Sequence, residues 1–528
     1  MKKLPLNIAN FEDLITKNYI YVDKTRHIYE MLNEGKYYFL ARPRRFGKSL
    51  LISTLEAFFL NKRELFRNLW LDKQDDITWQ THPIIRLDFS KIPNHTSIEL
   101  TSYLAQQLHD IAATYGKKLI SVNNASVLMD NLITQLATID KVVVLIDEYD
   151  RPIIDRLSTP NIAYANREIM HNFYSVIKSQ EANLRFVFLT GVTRFAKVSI
   201  FSGMNNLTDL SLYRNTATLL GYTQEELENY FADFIMQQAA VEKKTIQETL
   251  DAVRTWYNGY RFTDDSPTVY NPFSVVSYLR STKLKNYWFE SGSPTFLIEQ
   301  IIKKEPNFWS LNPESLRAND RVLSAFDIEN LSVPTLFFQT GYLTIKSYDP
   351  ETRLYSLCYP NREVAESVQQ ELISVVAHQA YNRTIGHLDD LNTALVERNI
   401  KILVQTLQSL IASIPYQHHI KHESYYHSLM HLTLSLLVKR VNSEMATSNG
   451  RIDIVLEMPH YLYIIEIKFD TPAQAALDQI KEKRYFEPYM NSKKPVTLLG
   501  LSFNYEKKRI KVEKEKLVVD WAEEVLSA

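Results

Sequence analysis

The stretch Lys36–Leu51, KYYFLARPRRFGKSLL, decides how the chain is to be read. Its first part, Tyr37–Ala41, is a short apolar run with the composition of a buried strand. Pro43 breaks the run and a basic turn follows. Gly47-Lys48-Ser49 then opens a segment, Ser49–Leu60, whose apolar residues recur on helical spacing. Strand, loop, Gly-Lys-Ser and helix in that order is the layout of a phosphate-binding P-loop. Backbone N–H groups in such a loop wrap phosphate oxygens, and the helix N-terminus adds a favourable dipole. Arg45, Phe46 and Gly47 are then part of the cradle, Lys48 reaches the β- and γ-phosphates of ATP, and the Ser49 hydroxyl ligates Mg²⁺. One position departs from the G-x-x-x-x-G-K-[ST] pattern: Arg42 stands where the first glycine is expected.

A chain of 528 residues has room for several domains with real cores, and 45% hydrophobic with 23% charged residues excludes a disordered one. The formal net charge of −1 gives no overall pull toward nucleic acid, so any such contact has to come from a local basic patch. A single cysteine, Cys358, rules out an internal disulfide framework and a Cys-rich zinc site, and fits a reducing compartment. The opening MKKLPLNIANFEDL lacks the apolar core of a secretory signal, and no uncharged apolar run approaches the length of a membrane span. The expectation is a cytoplasmic protein without a membrane partner.

The next strong signal is Lys141–Asp150, KVVVLIDEYD. Five consecutive β-branched or leucine residues, Val142–Ile146, mark a strand buried on both faces, as in a parallel sheet. Two carboxylates at its C-terminal end lie where open α/β sheets bind ligands. Downstream of a P-loop this is a Walker-B arrangement, in which Asp147 holds Mg²⁺ and Glu148 positions and polarises the attacking water. Pro83–Ser90 and Leu184–Thr190 read as further strands of the same sheet. Thr190 and Arg194, at the end of the latter, are the candidate sensors of the γ-phosphate; an ion-pair role for Arg194 is the competing reading.

From Gly221 the character becomes helical. Thr223-Gln224-Glu225-Glu226 is a capping box, and Pro272 after Tyr270-Asn271 suits a first helical turn. Gly341–Pro360 reads as a β-hairpin turning at Asp349–Thr352, so a helical lid ends in a winged-helix-like element that either touches DNA or packs on the ATPase. Leu388–Ile414 carries one continuous helical period, in or before which a domain boundary falls.

At the C-terminal end, Gly450–Leu456 and Tyr461–Lys468 read as two strands of a hairpin. Asp453 lies on the first, while Glu466 and Lys468 share one face of the second because strand side chains alternate. Asp, then Glu-x-Lys, is the core pattern of the PD-(D/E)XK nucleases. The two carboxylates hold Mg²⁺, or alternatively Mn²⁺, against a scissile phosphate, and the lysine orients water or stabilises developing charge. Glu423, on an earlier helix, supplies a further carboxylate, with Glu444 as the competing choice; Gln479, Lys483 and Arg484 lie on the helix that follows. His427 and His431 have the spacing of a zinc-protease pair but lack the intervening glutamate, and the basic tail Lys507–Lys516 reads as an edge strand.

With these residues in place, the chain resembles the bacterial AAA-ATPase-like family fused to a PD-(D/E)XK nuclease domain. The resemblance rests on Arg42–Ser49, Asp147–Asp150, Thr190–Phe195, Trp256–Tyr260, Tyr270–Pro272, Gly450–Asp453 and Glu466–Lys468. It implies an α/β fold: a P-loop ATPase with a parallel sheet at 1–220, a helical lid with a winged-helix-like hairpin at 221–385, and a PD-(D/E)XK nuclease-like domain at 386–528. It also implies an ATP-driven switch controlling a metal-dependent nuclease, with nucleic acid, DNA in preference to RNA, as the partner. The class of ATPase points to a homo-oligomer. The rival expectation is a nucleotide-gated binding or scaffold protein whose nuclease fold is inactive.

Overall fold

Aromatic and aliphatic side chains in unbroken sequence are stable only where both faces of a strand are covered, and all five residues of Tyr37–Ala41 are buried. A computed structural model describes residues 2–194, 206–290, 316–324, 333–376, 381–412, 423–437, 441–447, 450–492, 494–508 and 514–526. The strands Tyr37–Ala41 (β1), Ile84–Asp88 (β2), Val142–Asp147 (β3), Leu184–Gly191 (β4) and Thr208–Asp209 (β5) form a parallel sheet in the order β2-β3-β4-β1-β5. Its register aligns Asp88 with Asp147 and Ala41 with Gly191, so the polar strand ends meet at one edge. The helix Lys48–Phe59 packs on β3 and β4 from the loop that follows β1.

The chain divides into two units, Met1–Ser291 with Pro313–Val364, and Gly292–Asn312 with Ala365–Ala528. In the first, both expected helix starts are present: Thr223 and Glu226 close a reciprocal capping box, and Asn271 caps Pro272–Ser281 through the N–H groups of Phe273 and Ser274. These helices share a core with the N-terminal segment, where Ile20 and Val22 meet Leu227, Phe231, Val253 and Tyr278. The expected hairpin is formed by Thr344–Asp349 (β7) and Leu354–Cys358 (β8), which join Arg317–Ala318 (β6) in a three-stranded sheet. The helix Val333–Thr340 before the hairpin contains no basic residue, and Thr335 through Gln339 are buried. Of the two alternatives for this element, the described residues therefore favour packing on the ATPase: the Arg194 N–H donates to Gln339 Oε1 at 2.8 Å.

In the second unit, Val441–Thr447 (β9), Gly450–Glu457 (β10), Leu462–Phe469 (β11), Val496–Lys508 (β12) and Lys514–Leu526 (β13) form a mixed sheet, with only β11 and β12 parallel. The expected β10–β11 hairpin is present; β9 is a strand that the sequence pattern did not announce. The basic tail spans the end of β12 and the start of β13, with residues 509–513 outside the described ones. The single helix expected over Leu388–Ile414 is two helices, Tyr381–Val396 and Ile400–Ala412. Arg398 adopts a left-handed φ of 56° at the break, and Asn399 Oδ1 accepts from the Ile402 N–H to start the second helix. Among the described residues no helix is long and apolar enough to cross a membrane.

Gly500 on β12 lies in register with Glu466, beneath the helix Ala473–Glu482. A Cβ there would stand 2.5 Å from the Ala473 carbonyl oxygen and 2.8 Å from the Leu477 nitrogen, both backbone atoms. Gly500→Val is expected to destabilise this unit by about 1–3 kcal/mol through overpacking and to displace the helix that carries Gln479. Calorimetric unfolding of the variant checks this; an unchanged melting temperature would contradict the close approach.

Candidate functional site

At the end of β1 the chain turns through Arg42–Phe46 and reaches Gly47 with φ at +99°, a left-handed conformation that glycine adopts without strain. The following helix has no side-chain cap, so its first N–H groups are left for a ligand. Lys48 is 6% exposed and lies along the loop, its ammonium donating to the carbonyls of Arg42 and Pro43, each at 2.9 Å. Burial draws this ammonium below its ordinary pKa, against the opposing pull of Asp147 and Glu148. Asp147 is buried at the end of β3; desolvation raises its carboxyl, while a hydrogen bond with Ser49 and the charge of Lys48 act the other way. Glu148 has a left-handed φ of 53°, and its Oε2 accepts from Arg151 Nη1 at 2.6 Å.

A cavity of about 380 Å³ adjoins this cluster. Arg45, Gly47, Lys48, Ser49 and Glu148 are among its polar lining residues, and Leu6, Val22, Phe46, Leu220, Tyr222 and Phe273 among its apolar and aromatic ones. A cavity of this size lined by P-loop residues together with apolar side chains fits a nucleotide. Arg45 lies 4.8 Å over the Phe273 ring, and buried Phe46 packs edge-on against Tyr260. The apolar walls escaped the sequence reading, because residues so far apart in the chain carry no local pattern; the capping box at Thr223 was the nearest signal.

The two sensor candidates lie apart from the cavity lining. The Thr190 side chain is fully buried and its hydroxyl donates to the Leu40 carbonyl at 2.9 Å. Arg194 forks onto Asp209 Oδ2 at 3.0 and 2.6 Å. Neither lines the cavity, because strand pairing and an ion pair hold both elsewhere. Phe195, also part of the motif, lies outside the described residues. Asp150, in contrast, is buried and ties the end of β3 to β4's exit, its Oδ2 accepting from the Val192 and Thr193 N–H groups.

In the second unit, Asp453 on β10 and Glu466 with Lys468 on β11 converge. Asp453 Oδ2 accepts from the Ile467 N–H at 2.8 Å. Lys468 Nζ lies 3.3 Å from Glu466 Oε1 and 3.5 Å from Oε1 of Glu423, the first residue of the helix Glu423–Leu437. Gln479 Nε2 donates to Glu466 Oε1, and His427 Nε2 lies 3.1 Å from the Asp453 carbonyl oxygen. Of the two choices for the extra carboxylate, Glu423 is thus near Lys468, and the Glu444 side chain lies outside the described residues. His427 was read only as half of a zinc pair; the fold instead directs it to the Asp453 backbone.

Glu466 is 1% exposed. Burial and the neighbouring Asp453 push its carboxyl up to about 8, and burial likewise raises Asp453. Lys468 is drawn down by burial but held above its ordinary value by Glu466 and Glu423. Glu466 Oε2 is buried with no hydrogen-bond partner among the described residues. Two crowded carboxylates and an orphaned oxygen fit a divalent cation. Among the described residues no group of three or more His, Cys, Asp or Glu side chains is placed to hold a metal ion.

Residues 5–201 match a family model described as "Predicted AAA-ATPase", and residues 421–513 match that of the PD-(D/E)XK nuclease superfamily. A relative from Azotobacter chroococcum mcd 1, described as an uncharacterized protein in the vnfD 5′ region, is 35% identical over 524 residues. The alignment covers 96% of this chain and 98% of the relative. The chain belongs to this AAA-ATPase-like family with a C-terminal PD-(D/E)XK nuclease superfamily domain. The Lys48 cavity lies within or beside the ATPase match, and Glu423, Asp453, Glu466, Lys468 and Gln479 all fall within the nuclease-superfamily match.

The raised Glu466 value sets a pH dependence for this nuclease-superfamily domain. A folded-state pKa above the unfolded value favours the protonated folded form, so this contribution to stability is complete below the ordinary carboxylate range and is lost as pH rises through about 8. In chelator, wild-type protein should lose stability relative to Glu466→Gln as pH rises from the ordinary carboxylate range to about 8, on the order of a few kcal/mol, and show no further relative loss above that. Added Mg²⁺ should restore it in the wild type alone. Thermal unfolding against pH measures this; parallel curves for both proteins would refute it.

Proposed function

We propose that the protein is an ATP-binding and hydrolysing switch that controls a metal-dependent nuclease cleaving nucleic-acid phosphodiester bonds, DNA in preference to RNA. The observation that carries it is the convergence of Glu423, Asp453, Glu466 and Lys468 in the same chain as a cavity lined by Lys48, Ser49 and Glu148. Segment 1–220 is assigned nucleotide binding, 221–385 relay and 386–528 cleavage. The proposal includes a cytoplasmic location and a homo-oligomer.

At the first site the chain's own groups bind and orient. Backbone N–H groups of Arg45–Ser49 take the phosphates, and Lys48 neutralises their charge while remaining tied to the loop. Ser49 and Asp147 are the pair that would hold Mg²⁺. Glu148 is the base that orients water once its carboxylate leaves Arg151. At the second site Asp453 and Glu466 would hold Mg²⁺ or Mn²⁺, whose bound form supplies Lewis-acid stabilisation of the phosphate. Lys468 orients the water or meets developing negative charge, and Gln479 and Glu423 fix Glu466 and Lys468 in place.

Lys48→Ala is expected to lower ATP affinity by about 100-fold or more in equilibrium titration. Asp453→Ala should lower cleavage of DNA by about 100-fold or more while leaving ATP turnover intact. Unchanged cleavage in purified Asp453→Ala protein would remove the nuclease assignment; wild-type protein that binds ATP yet cuts no polynucleotide with either metal would favour the scaffold reading.

A further inference from the structure

Arg42 occupies the position at which the general P-loop pattern has glycine, and its side chain does not face the cavity. It is 1% exposed. Its guanidinium donates through Nη1 to the carbonyls of Ala41 at 2.9 Å and Ser211 at 2.7 Å, and through Nη2 to that of Thr216 at 3.2 Å. The same plane lies 3.9 Å over the ring of Phe262. Only a planar, forked cation can donate in two directions while stacking on a ring, so this seat is built for arginine. Asp209, the nearest carboxylate acting on it, is itself engaged by Arg194.

The backbone of the same residue is fixed as well. Its N–H donates to Gly191 at 3.1 Å, and its carbonyl accepts from Lys48 Nζ at 2.9 Å. The Ala41–Arg42 peptide, immediately before the carbonyl that holds the lysine, is therefore pinned through its N–H by strand pairing and through its carbonyl by the guanidinium. Thr216, which takes Nη2, also accepts from the Leu219 N–H at 3.1 Å, and Leu219 and Leu220 line the cavity.

We infer that Arg42 is a positioning residue for the nucleotide: it holds the carbonyl that aims Lys48 at the phosphates, in register with the Leu219–Leu220 wall. A glycine would free the loop, as the general pattern tolerates, but would here remove the strut on which Lys48 rests. The consequence runs against the motif. Restoring the consensus glycine should weaken phosphate recognition.

This inference rests on the nucleotide reading, and the experiment separates the two. Binding of ATP and of adenosine is measured by calorimetry on full-length wild type, Arg42→Gly, Arg42→Lys, Lys48→Ala and the Arg42→Gly/Lys48→Ala double variant. Arg42→Gly should lose about tenfold or more in ATP affinity, with adenosine changed by less than about threefold. Arg42→Lys, which keeps the charge but not the fork, should show a smaller loss of the same kind. In the Lys48→Ala background Arg42→Gly should add nothing to the loss of ATP preference over adenosine. Wild-type ATP affinity in both single Arg42 variants overturns the inference, as do equal losses for ATP and adenosine, or losses additive with Lys48→Ala. Should Arg42→Gly fail to fold, Arg42→Lys alone decides between an ATP-specific loss and none. A wild type that binds no ATP overturns the nucleotide reading and this inference together.

Discussion

Strand β1 is hydrogen-bonded on both edges and buried on both faces, between β4 and β5. Such a strand has no polar face to offer, so its chemistry has to be exported to its C-terminal end. There the loop Arg42–Gly47 has to satisfy its own backbone groups while leaving others for a ligand. Lys48 resolves part of this by donating back to the carbonyls of Arg42 and Pro43, and β3, one strand beyond β4, supplies Asp147 at the same C-terminal end of the sheet. The parallel register brings these groups together without any contribution from the exposed surface.

The outer face of the loop is packed by residues from far along the same unit. Trp288 Nε1 donates to the Arg44 carbonyl at 3.0 Å, Arg42 stacks on Phe262, and Phe46 sits against Tyr260. Gly341, with φ at +92°, leaves room for Pro43, whose Cβ would lie 2.6 Å from an added methyl group. In the proposed switch, a rearrangement of the loop on nucleotide binding or release would act directly on these packed contacts with the helical segment and the element bearing β7 and β8. This gives the relay in the proposed switch a physical path within the first unit.

Much of this was legible from sequence because the decisive patterns are local. The apolar runs at Tyr37–Ala41 and Val142–Ile146 specify buried parallel strands, and the acidic ends and Gly-Lys-Ser follow directly. Alternation along β11 fixes that Glu466 and Lys468 share a face, and the hairpin pattern places Asp453 on the strand paired with it. What escaped notice depends on tertiary contacts. The apolar cavity walls come from separate segments, Arg398 breaks a helix that periodicity alone continues, and the partners of Thr190 and Arg194 are chosen by strand pairing and by Asp209. The role of Arg42, which departs from the general loop pattern, is hidden for the same reason: its carbonyl partners at 211 and 216 are invisible until the fold is known.

The central claim is that one chain joins a nucleotide-controlled loop to a metal-dependent cleavage site. The most direct measurement is cleavage of single- and double-stranded DNA and RNA by the full-length protein with Mg²⁺ or Mn²⁺, titrated with ATP. The account predicts metal-dependent cutting whose rate changes with ATP in the wild type and ceases to respond to ATP in Lys48→Ala. Cutting that is indifferent to ATP, or identical in its ATP response in Lys48→Ala, would contradict it.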